Sequence, residues 1–317
     1  MFRMQKENIV QQIKPQGANA LAKDKWEKYF NDPNYIAEKK FDGSRYILQT
    51  FVNANPTLTS RRESVKGGMC DKTLNVPHIV IEIRKLGSEL VLDGEIDIRG
   101  DDRNFKYVQS VMGSLYERAI AIQYEKEKLV YKVFDILEYN GKNLRDYPLY
   151  RRRSILEQLF TIEHFEYIIL VEQYKDKKKL YEEEIKRNAE GIMLKNINSI
   201  YIEDKSPSQT WYKIKRESTY DGIVKSYKFG TVGTKYEKWL GTLTTYQYKD
   251  GILIETAEIG GLTEQERIEF KEKLDKGETL IIEFKAQETI GDHRYRHPSY
   301  LRIRTDKNPE QCIYGKS

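Results

Sequence analysis

The stretch from Lys39 to Arg45 reads KKFDGSR, which sets two lysines before a turn and an arginine after it. An amine fixed at a turn is a nucleophile when it is unprotonated and a phosphate ligand when it is charged. Further along, WYKIK places Lys213 and Lys215 on one face of a predicted strand, because side chains alternate along strands. Two lysines on one face suit an anionic ligand such as a phosphate.

Carboxylates stand at other predicted turns. Glu95 directly follows the glycine of DGE, and Glu190 directly precedes the glycine of EGIMLK. Two such carboxylates can share a hard cation like Mg²⁺. Lysines, arginines and acids that converge on one cleft would form a phosphoryl-transfer site, where catalysis is mostly positioning and charge stabilisation. Taken singly, each fragment more often has a structural explanation, and RRR at 151–153 is typical of the solvated start of a helix.

The composition bounds the class of protein. With 317 residues, 39% hydrophobic and 32% charged, the chain is expected to be globular, with no contact with a membrane. The only cysteines are Cys70 and Cys312, which excludes a cysteine-rich zinc site and fits a reducing, cytoplasmic setting. A net charge of +5 permits binding to a polyanion but does not demand it.

The periodicities predict an α+β protein. Helices are predicted over ALAKDKWEKYF, NFKYVQSVMG, YPLYRRRSILEQLF and KKKLYEEEIKRNAE, and strands over SELVLDGEIDI, LVYKVFDILEY and GIMLKN. Beyond Glu217, five short strands surround one helix that Thr263 and Glu266 open as a capping box. This pattern favours a small barrel of the oligonucleotide-binding type. We therefore expect two domains, residues 1–216 and residues 217–317.

Several motifs in order identify a family. KKFDGSR, TSRRE, VLDGEID, VFDILEYNG, EGIMLK and WYKIK resemble motifs I, Ia, III, IIIa, IV and V of the covalent nucleotidyltransferases, and specifically of ATP-dependent DNA ligases. RHPSYLRIRTDK is similar to motif VI and its lead-in. The resemblance runs from Tyr35 to Lys307. It implies an adenylation domain of antiparallel sheets with flanking helices over 1–216, followed by an OB-fold β-barrel over 217–317.

The resemblance also implies roles for single residues. Lys40 falls on the nucleophile that attacks the α-phosphate of ATP and keeps AMP. Glu38 falls where the family contacts adenine, largely through its backbone, and Phe134 where a ring stacks beneath adenine. Glu95 and Glu190 match carboxylates that bind the metal, Mg²⁺ or Mn²⁺, and Glu95 also matches a ribose contact. The other implied contacts to ATP or to the nick phosphate are Arg45, Arg61, Lys213, Lys215, Arg304 and Lys307.

Two expectations concern lysines near these motifs. An amine must lose its proton to attack, so we expect nearby cations and a bound metal to lower the pKa of Lys40. Strand alternation is expected to turn Lys39 to the opposite side. Many relatives carry an arginine shortly before motif V, whereas EDKSPSQTW offers only Lys205, which lacks the bidentate fork of arginine.

The implied activity is the sealing of 5′-phosphate/3′-hydroxyl nicks in duplex DNA, through lysyl-AMP and an adenylated DNA 5′ end. We expect a monomer that acts on nicked double-stranded DNA during repair, replication or recombination, in a bacterial or phage-infected cell. The alternatives are an mRNA-capping guanylyltransferase or an RNA ligase, although WYKIK, EGIMLK and RHPSYLR favour a DNA ligase. The non-enzymatic alternative, a nucleic-acid-binding module, predicts loss of catalytic positions that this sequence retains.

Overall fold

The chain forms two compact units, residues 1–215 and residues 216–317. Lys205 and Glu217, on which two sequence predictions fall, lie outside the residues that the structure describes. No helix among the described residues is long and apolar enough to cross a membrane. The computed structural model describes residues 10–63, 69–100, 104–203, 207–216, 218–290 and 293–315.

The first unit combines two β-sheets with helices on their outer faces. Its described strands are β1 (Gly17–Ala20), β2 (Tyr35–Lys39), β3 (Ser44–Phe51), β4 (Ala54–Glu63), β5 (Met69–Asp71), β6 (Leu90–Asp97), β7 (Val130–Tyr139), β8 (Lys142–Asn143), β9 (Ile168–Leu170), β10 (Gly191–Asn196) and β11 (Pro207–Lys215). Its described helices are α1 (Trp26–Asn31), α2 (Pro77–Ile83), α3 (Phe105–Met112), α4 (Tyr116–Glu125), α5 (Leu149–Ile162) and α6 (Lys177–Lys186).

The larger sheet runs in the order β5-β4-β3-β6-β7-β8, and β9 adds to β7 in parallel. The smaller sheet runs β1-β11-β10-β2, with β1 parallel to β11 and the other pairs antiparallel. A shared apolar core joins the two sheets, because Val91 of β6 and Trp211 of β11 belong to one buried cluster. The motif strands of both sheets therefore face each other across this core.

Strand β6 shows how alternation assigns its residues to two environments. Leu92 and Ile96 lie in the core beneath helices α2 to α5 of the larger sheet. Val91, of opposite parity, lies in the core shared with the smaller sheet. Because side chains alternate along a strand, the acidic residues of VLDGEID share the face of Val91. The motif thus directs its carboxylates between the two sheets rather than toward the helices.

The second unit is a five-stranded antiparallel sheet in the order β14-β13-β12-β15-β16, with one described helix. A parallel bridge between Gly260 and Ser299 links the end of β14 to β16, so the two edges of the sheet approach each other. The five strands and the helix predicted for this region are confirmed. Their bounds are β12 (Ser218–Phe229), β13 (Leu240–Lys249), β14 (Ile252–Ile259), α7 (Glu264–Asp275), β15 (Leu280–Ile290) and β16 (Arg294–Ile303).

Most helix predictions are confirmed, as α3, α5, α6 and α7 show. The Thr263 side chain accepts a hydrogen bond from the Glu266 amide, and the Glu266 carboxylate accepts one from the Thr263 amide, which completes the predicted capping box. The helix predicted over ALAKDKWEKYF is wrong at residues 20–22, since β1 ends at Ala20 and a 3₁₀ helix over Lys23–Lys25 leads directly into α1 at Trp26. Pairing of β1 with β11 overrides the helix propensity of the alanines.

The arginine run at the start of α5 corrects another expectation. Arg151 is exposed, but Arg152 is completely buried and Arg153 nearly so. Arg152 donates from Nε and Nη2 to the two oxygens of Asp135 on β7, each at 2.8 Å. It also donates to the Ser199 carbonyl at 3.1 Å. The run is therefore solvated only at its first residue, and the second arginine anchors α5 to the sheet.

This buried pair yields a prediction about stability. Replacing Arg152 by methionine leaves Asp135 charged, buried and unpaired, so we expect Arg152→Met to lower the free energy of unfolding by about 3–5 kcal/mol. Chemical denaturation followed by circular dichroism measures the change. The matched control Arg151→Met should stay within about 0.5 kcal/mol of wild type, as exposed substitutions usually do. Equal effects of the two variants would contradict the anchoring role of Arg152.

Candidate active site

Lys40 lies at the first position of the turn between β2 and β3, and its ammonium is bound by a carboxylate. Its Nζ donates to Glu190 Oε2 at 2.9 Å, and Lys215 Nζ lies 3.1 Å from Glu190 Oε1. The Lys40 amide donates to the Gly191 carbonyl at 3.0 Å, which ties the turn to the start of β10. The structure thus brings together three predicted site residues, two lysines on one carboxylate.

The turn that carries Lys40 is packed directly against β6. The Gly43 amide donates to Glu95 Oε1 at 3.0 Å. A Cβ atom at Gly43 would lie 2.3 Å from the Ile96 carbonyl oxygen, closer than any real Cβ contact. Glycine is therefore required because the turn backbone approaches another backbone. The FDG sequence holds Lys40 near Glu95 by this contact.

Three carboxylates at alternate positions of β6 form a row, which we call the acid row: Asp93, Glu95 and Asp97. Arg45 Nε donates to Asp93 Oδ1 at 2.9 Å, and Lys132 Nζ donates to Asp97 Oδ2 at 2.9 Å. Buried cations thus neutralise both ends of the row. The middle member, Glu95, instead accepts the backbone hydrogen bond from the turn of Lys40.

Both Glu95, in the middle of the acid row, and the neighbouring Lys40 have raised pKa values. Burial raises the pKa of Glu95 to about 7, and Glu190 and Asp97 add to this against the opposing charge of Lys40. Burial disfavours the charged form of Lys40, but Glu190 and Glu95 outweigh it and hold the Lys40 pKa above its usual value. The prediction that neighbouring cations lower the pKa of Lys40 is therefore wrong, because the protein's own carboxylates outweigh them.

A group of cations lies on the other side of Lys40. Burial lowers the pKa of Lys213, and the charges of Lys215, Lys40 and Arg61 lower it further. Arg61 is exposed on β4, and Lys213 pairs in register with Met193 of β10. The site therefore has an acidic side on β6 and a basic side on β4 and β11, with Lys40 between them.

The acidic side fits a hard divalent cation. Glu95 and Glu190 offer carboxylate oxygens, and the raised pKa of Glu95 shows that the protein leaves its charge incompletely compensated. Across the described residues, no group of three or more His, Cys, Asp or Glu is arranged to hold a metal ion. Two carboxylates without a full protein cage suit Mg²⁺, which usually keeps several waters and binds substrate phosphates as well.

Glu38 and Phe134, the two residues predicted to contact adenine, are both buried. Glu38 is 2% exposed, and its carboxylate meets Lys195 Nζ at 2.6 Å and accepts from the Gln173 amide group at 3.0 Å. The Phe134 ring is 9% exposed, with Lys195 Nζ 4.2 Å from its centre and the Trp211 ring edge-on at 6.2 Å. The carboxylate of Glu38 is thus engaged by Lys195 and Gln173, and its contact with adenine stays a prediction.

Arg45 is held more tightly than the sequence suggested. Besides Asp93, its guanidinium donates to the Gln16 carbonyl at 2.6 Å and lies 5.3 Å from the Phe134 ring centre. Tyr201 donates to Asp93 Oδ2 at 2.6 Å, which completes a buried network. Arg45 is thus placed beside the predicted adenine pocket, and its contact with ribose or phosphate stays a prediction.

The predicted motif VI residues meet at one acid within the second unit. Arg304 Nη1 donates to Asp221 Oδ1 at 2.7 Å, and Lys307 Nζ bonds the other oxygen of the same carboxylate. Arg304 also pairs with Asp306 at 2.7 Å. Asp221 is 5% exposed and lies opposite Glu283 in the β12–β15 register. Two cations 3 residues apart in sequence are thereby held side by side.

Sequence reasoning missed several polar residues that support the site. Asp93 and Asp97 have the same parity as Glu95 in VLDGEID, so period-2 alternation could have placed all three on one face. The other missed residues are distant in sequence from the residues that they contact, and no local sequence pattern indicates them. They are Gln16, Lys132, Gln173, Lys195 and Tyr201.

Comparisons with known proteins point in one direction. The model of a family described as ATP dependent DNA ligase domain matches residues 16–215. A DNA ligase of Methanococcus aeolicus is 28% identical over 302 residues, covering 86% of this chain and 52% of that protein. The chain thus spans about half the length of the curated relatives it matches.

Solved structures share the fold. The structure of a Lig E DNA ligase has a TM-score of 0.64 and 18% identity, covering 93% of this chain and 100% of that chain. The ligase domain of LigD from M. tuberculosis has a TM-score of 0.52 and 21% identity, covering 95% of this chain and 98% of that chain. These likenesses show the mixed α+β fold of nucleotidyltransferase-type ligase domains, as the sequence predicted.

The close approach at Gly43 is testable. We expect Gly43→Ala to force the turn away from β6 and to lower the free energy of unfolding by about 1–3 kcal/mol, the usual cost of overpacking. Gly260→Ala is the matched control, because a Cβ there meets nothing within 4 Å, and its effect should stay within about 1 kcal/mol of zero. Thermal or chemical unfolding of both variants gives the comparison, and a neutral Gly43→Ala would show that the turn is not tightly seated.

Proposed function

The chain belongs to the ATP-dependent DNA ligase domain family, and from this we propose that it seals 5′-phosphate/3′-hydroxyl nicks in duplex DNA with ATP as co-substrate. One observation carries the proposal. Inside the matched region, the amine of Lys40 is held 2.9 Å from Glu190 at a turn that glycine seats against Glu95. An amine, two carboxylates and neighbouring lysines are the groups that nucleotidyl transfer requires.

The proposed reaction has three steps. The Lys40 amine bonds to the α-phosphorus of ATP, the bond to pyrophosphate breaks, and the proton of the amine is lost. The 5′-phosphate at the nick then attacks the same phosphorus and displaces Lys40, which leaves AMP on the DNA end. Finally the 3′-hydroxyl attacks the DNA phosphate, and AMP departs as the phosphodiester bond forms.

The residues of the first unit have distinct jobs in this proposal. Glu190 holds the amine of Lys40 in place, and Lys213 and Lys215 balance the charge of the α-phosphate. Their position on one strand, across from Lys40, supports this role. The adenosine end is proposed to lie against the backbone of Glu38 and the Phe134 ring. Ribose or nick-phosphate contacts are proposed for Arg45, Arg61 and Glu95.

A divalent metal is proposed at Glu95 and Glu190. When bound, Mg²⁺ or Mn²⁺ supplies positive charge that stabilises the phosphates and offsets the two carboxylates. The chain's own contribution is to present these carboxylates on β6 and at the start of β10, both close enough to Lys40 to raise its pKa. If their charge were offset in this way, the carboxylates would favour the protonated form of the amine less, and the amine would lose its proton more readily.

The second unit is proposed to be an OB-fold domain, so that the adenylation domain covers 1–216 and the OB-fold domain 217–317. Five strands, one helix and the approach of the sheet edges at Gly260 and Ser299 support this assignment. Arg304 and Lys307 are proposed to bind phosphates of ATP, because Asp221 holds the two cations side by side. We propose that the protein acts as a monomer on nicked DNA.

Covalent labelling tests the nucleophile. Incubation with α-labelled ATP should label the wild-type protein, and Lys40→Ala should reduce the label to background because it removes the attacking amine. Lys39→Ala, the adjacent lysine, is the matched control and should retain the label. Equal loss in the two variants would contradict the assignment. Label from α-labelled GTP but not from ATP would favour a capping guanylyltransferase, and absence of any label would favour a binding module.

Metal dependence tests the carboxylates. We expect Glu95→Gln to raise the Mg²⁺ concentration for half-maximal labelling by about tenfold or more, since one oxygen ligand loses its charge. Glu125→Gln, at the exposed end of α4, should leave the Mg²⁺ titration unchanged. An unchanged requirement in Glu95→Gln would place the metal elsewhere, and a chelator that fails to abolish labelling would remove the metal from the proposal.

A further inference from the structure

The turn of Lys40, which packs against β6 at Gly43, also borders a small cavity. The cavity has a volume of about 20 Å³, which is roughly the space that one water molecule occupies. Its lining includes Phe41 and Asp42 of the turn, Asp97 of β6, Lys132 of β7 and Glu190. The predicted roles of the motifs give no function to Lys132 or Asp97.

Lys132 is buried in this cavity and makes contacts with three different segments. Its Nζ donates to Asp97 Oδ2 at 2.9 Å and to the Gly100 carbonyl at 3.1 Å. The same Nζ lies 4.2 Å from the centre of the Phe41 ring. The side chains of Lys132 and Asp97 are 5% and 7% exposed. A desolvated ammonium at this distance from a ring is attracted to the ring's face.

Lys132 does not bond the carboxylate that the strand register places opposite it. Lys132 lies directly opposite Glu95 in the β6–β7 pairing, yet its ammonium bonds Asp97, the next residue on the same face. Glu95 therefore remains available to the Gly43 amide and to Lys40. Lys132 at one end of the acid row and Arg45 at the other neutralise the outer carboxylates and leave the middle one to the site.

We propose that Lys132 is a positioning residue for the nucleophile, acting through the ring of Phe41. The proposal rests on the proposed function, since it concerns the rate at which Lys40 takes AMP. Phe41 is bonded directly to Lys40, so a ring held on a fixed ammonium fixes the backbone from which the amine projects. Without that cation, the Phe41 ring loses its charged partner beside the cavity, and the amine is held near the α-phosphorus less often.

The experiment separates positioning from simple stability. Single-turnover labelling over a range of ATP concentrations gives the rate constant of Lys40 adenylation at saturation and the apparent Kd for ATP. Lys132→Met is expected to lower the saturating rate at least about tenfold with less than about a twofold change in Kd, because the ATP contacts themselves are untouched. Lys132→Arg, which keeps a cation, should stay within a few-fold of wild type.

A double variant removes the objection that Lys132→Met is merely unstable. Lys132→Met/Asp97→Val deletes both charges and leaves apolar groups, so it should recover most of the stability lost in the single variant. We expect its adenylation rate to stay low, since methionine cannot hold the Phe41 ring by charge. Lys128→Met is the matched control, because Lys128 is an exposed lysine whose aromatic partner, at 4.9 Å, is the Tyr167 ring and not the Phe41 ring.

The possible results of these measurements either support or overturn the proposed role of Lys132. A wild-type adenylation rate in Lys132→Met overturns the proposal, and so does a double variant that recovers rate together with stability. A change confined to the Kd for ATP would make Lys132 part of the binding surface instead, which also overturns it. If the wild-type protein takes no label from ATP, the proposed function has failed, and this result is distinct from any failure of the Lys132 proposal.

Discussion

The structure of the site depends on one electrostatic constraint, the acid row of β6. Three carboxylates on one largely buried face repel each other, and each costs several kcal/mol unless a positive group compensates it. Arg45 and Lys132 compensate the two ends. Glu95 in the middle accepts a hydrogen bond from a backbone amide, and the charges of Lys40 and Arg45 favour its charged form. The turn of Lys40 packs where the remaining negative charge lies, beside Glu95.

This constraint bears on the protonation of Lys40, the proposed nucleophile. The carboxylates that hold the Lys40 ammonium also keep its pKa above the usual value, so the groups that position the amine keep it protonated. On the basic side of the site, burial lowers the pKa of Lys213, and the charges of Lys215, Lys40 and Arg61 lower it further. Positive charge added on the acidic side by a metal would shift the protonation equilibrium of Lys40 toward the neutral amine. In the proposed mechanism, positioning and activation of the amine are therefore separate events.

Much of this could be read from the sequence, and the limits have physical reasons. The motif strands, the helices α3, α5, α6 and α7, and the meeting of Lys40 with Glu190 and Lys215 follow from local patterns and from the order of the motifs. The burial of Arg152 could not be read, because a helix start looks solvated until a distant partner such as Asp135 is known. The direction in which the Lys40 pKa shifts could not be predicted from the sequence either. It depends on which charges lie closest in space, and these are not the charges that are closest in sequence.

The most direct test of the account is a chase experiment on one turnover. Wild-type protein labelled with α-labelled ATP is freed of nucleotide and mixed with a nicked duplex and Mg²⁺. The account predicts that label leaves the protein, passes through the DNA 5′ end and is released as AMP while an equal amount of sealed strand forms. Label that stays on the protein, or that leaves it without sealed strand, would contradict the central claim that Lys40 delivers AMP for ligation.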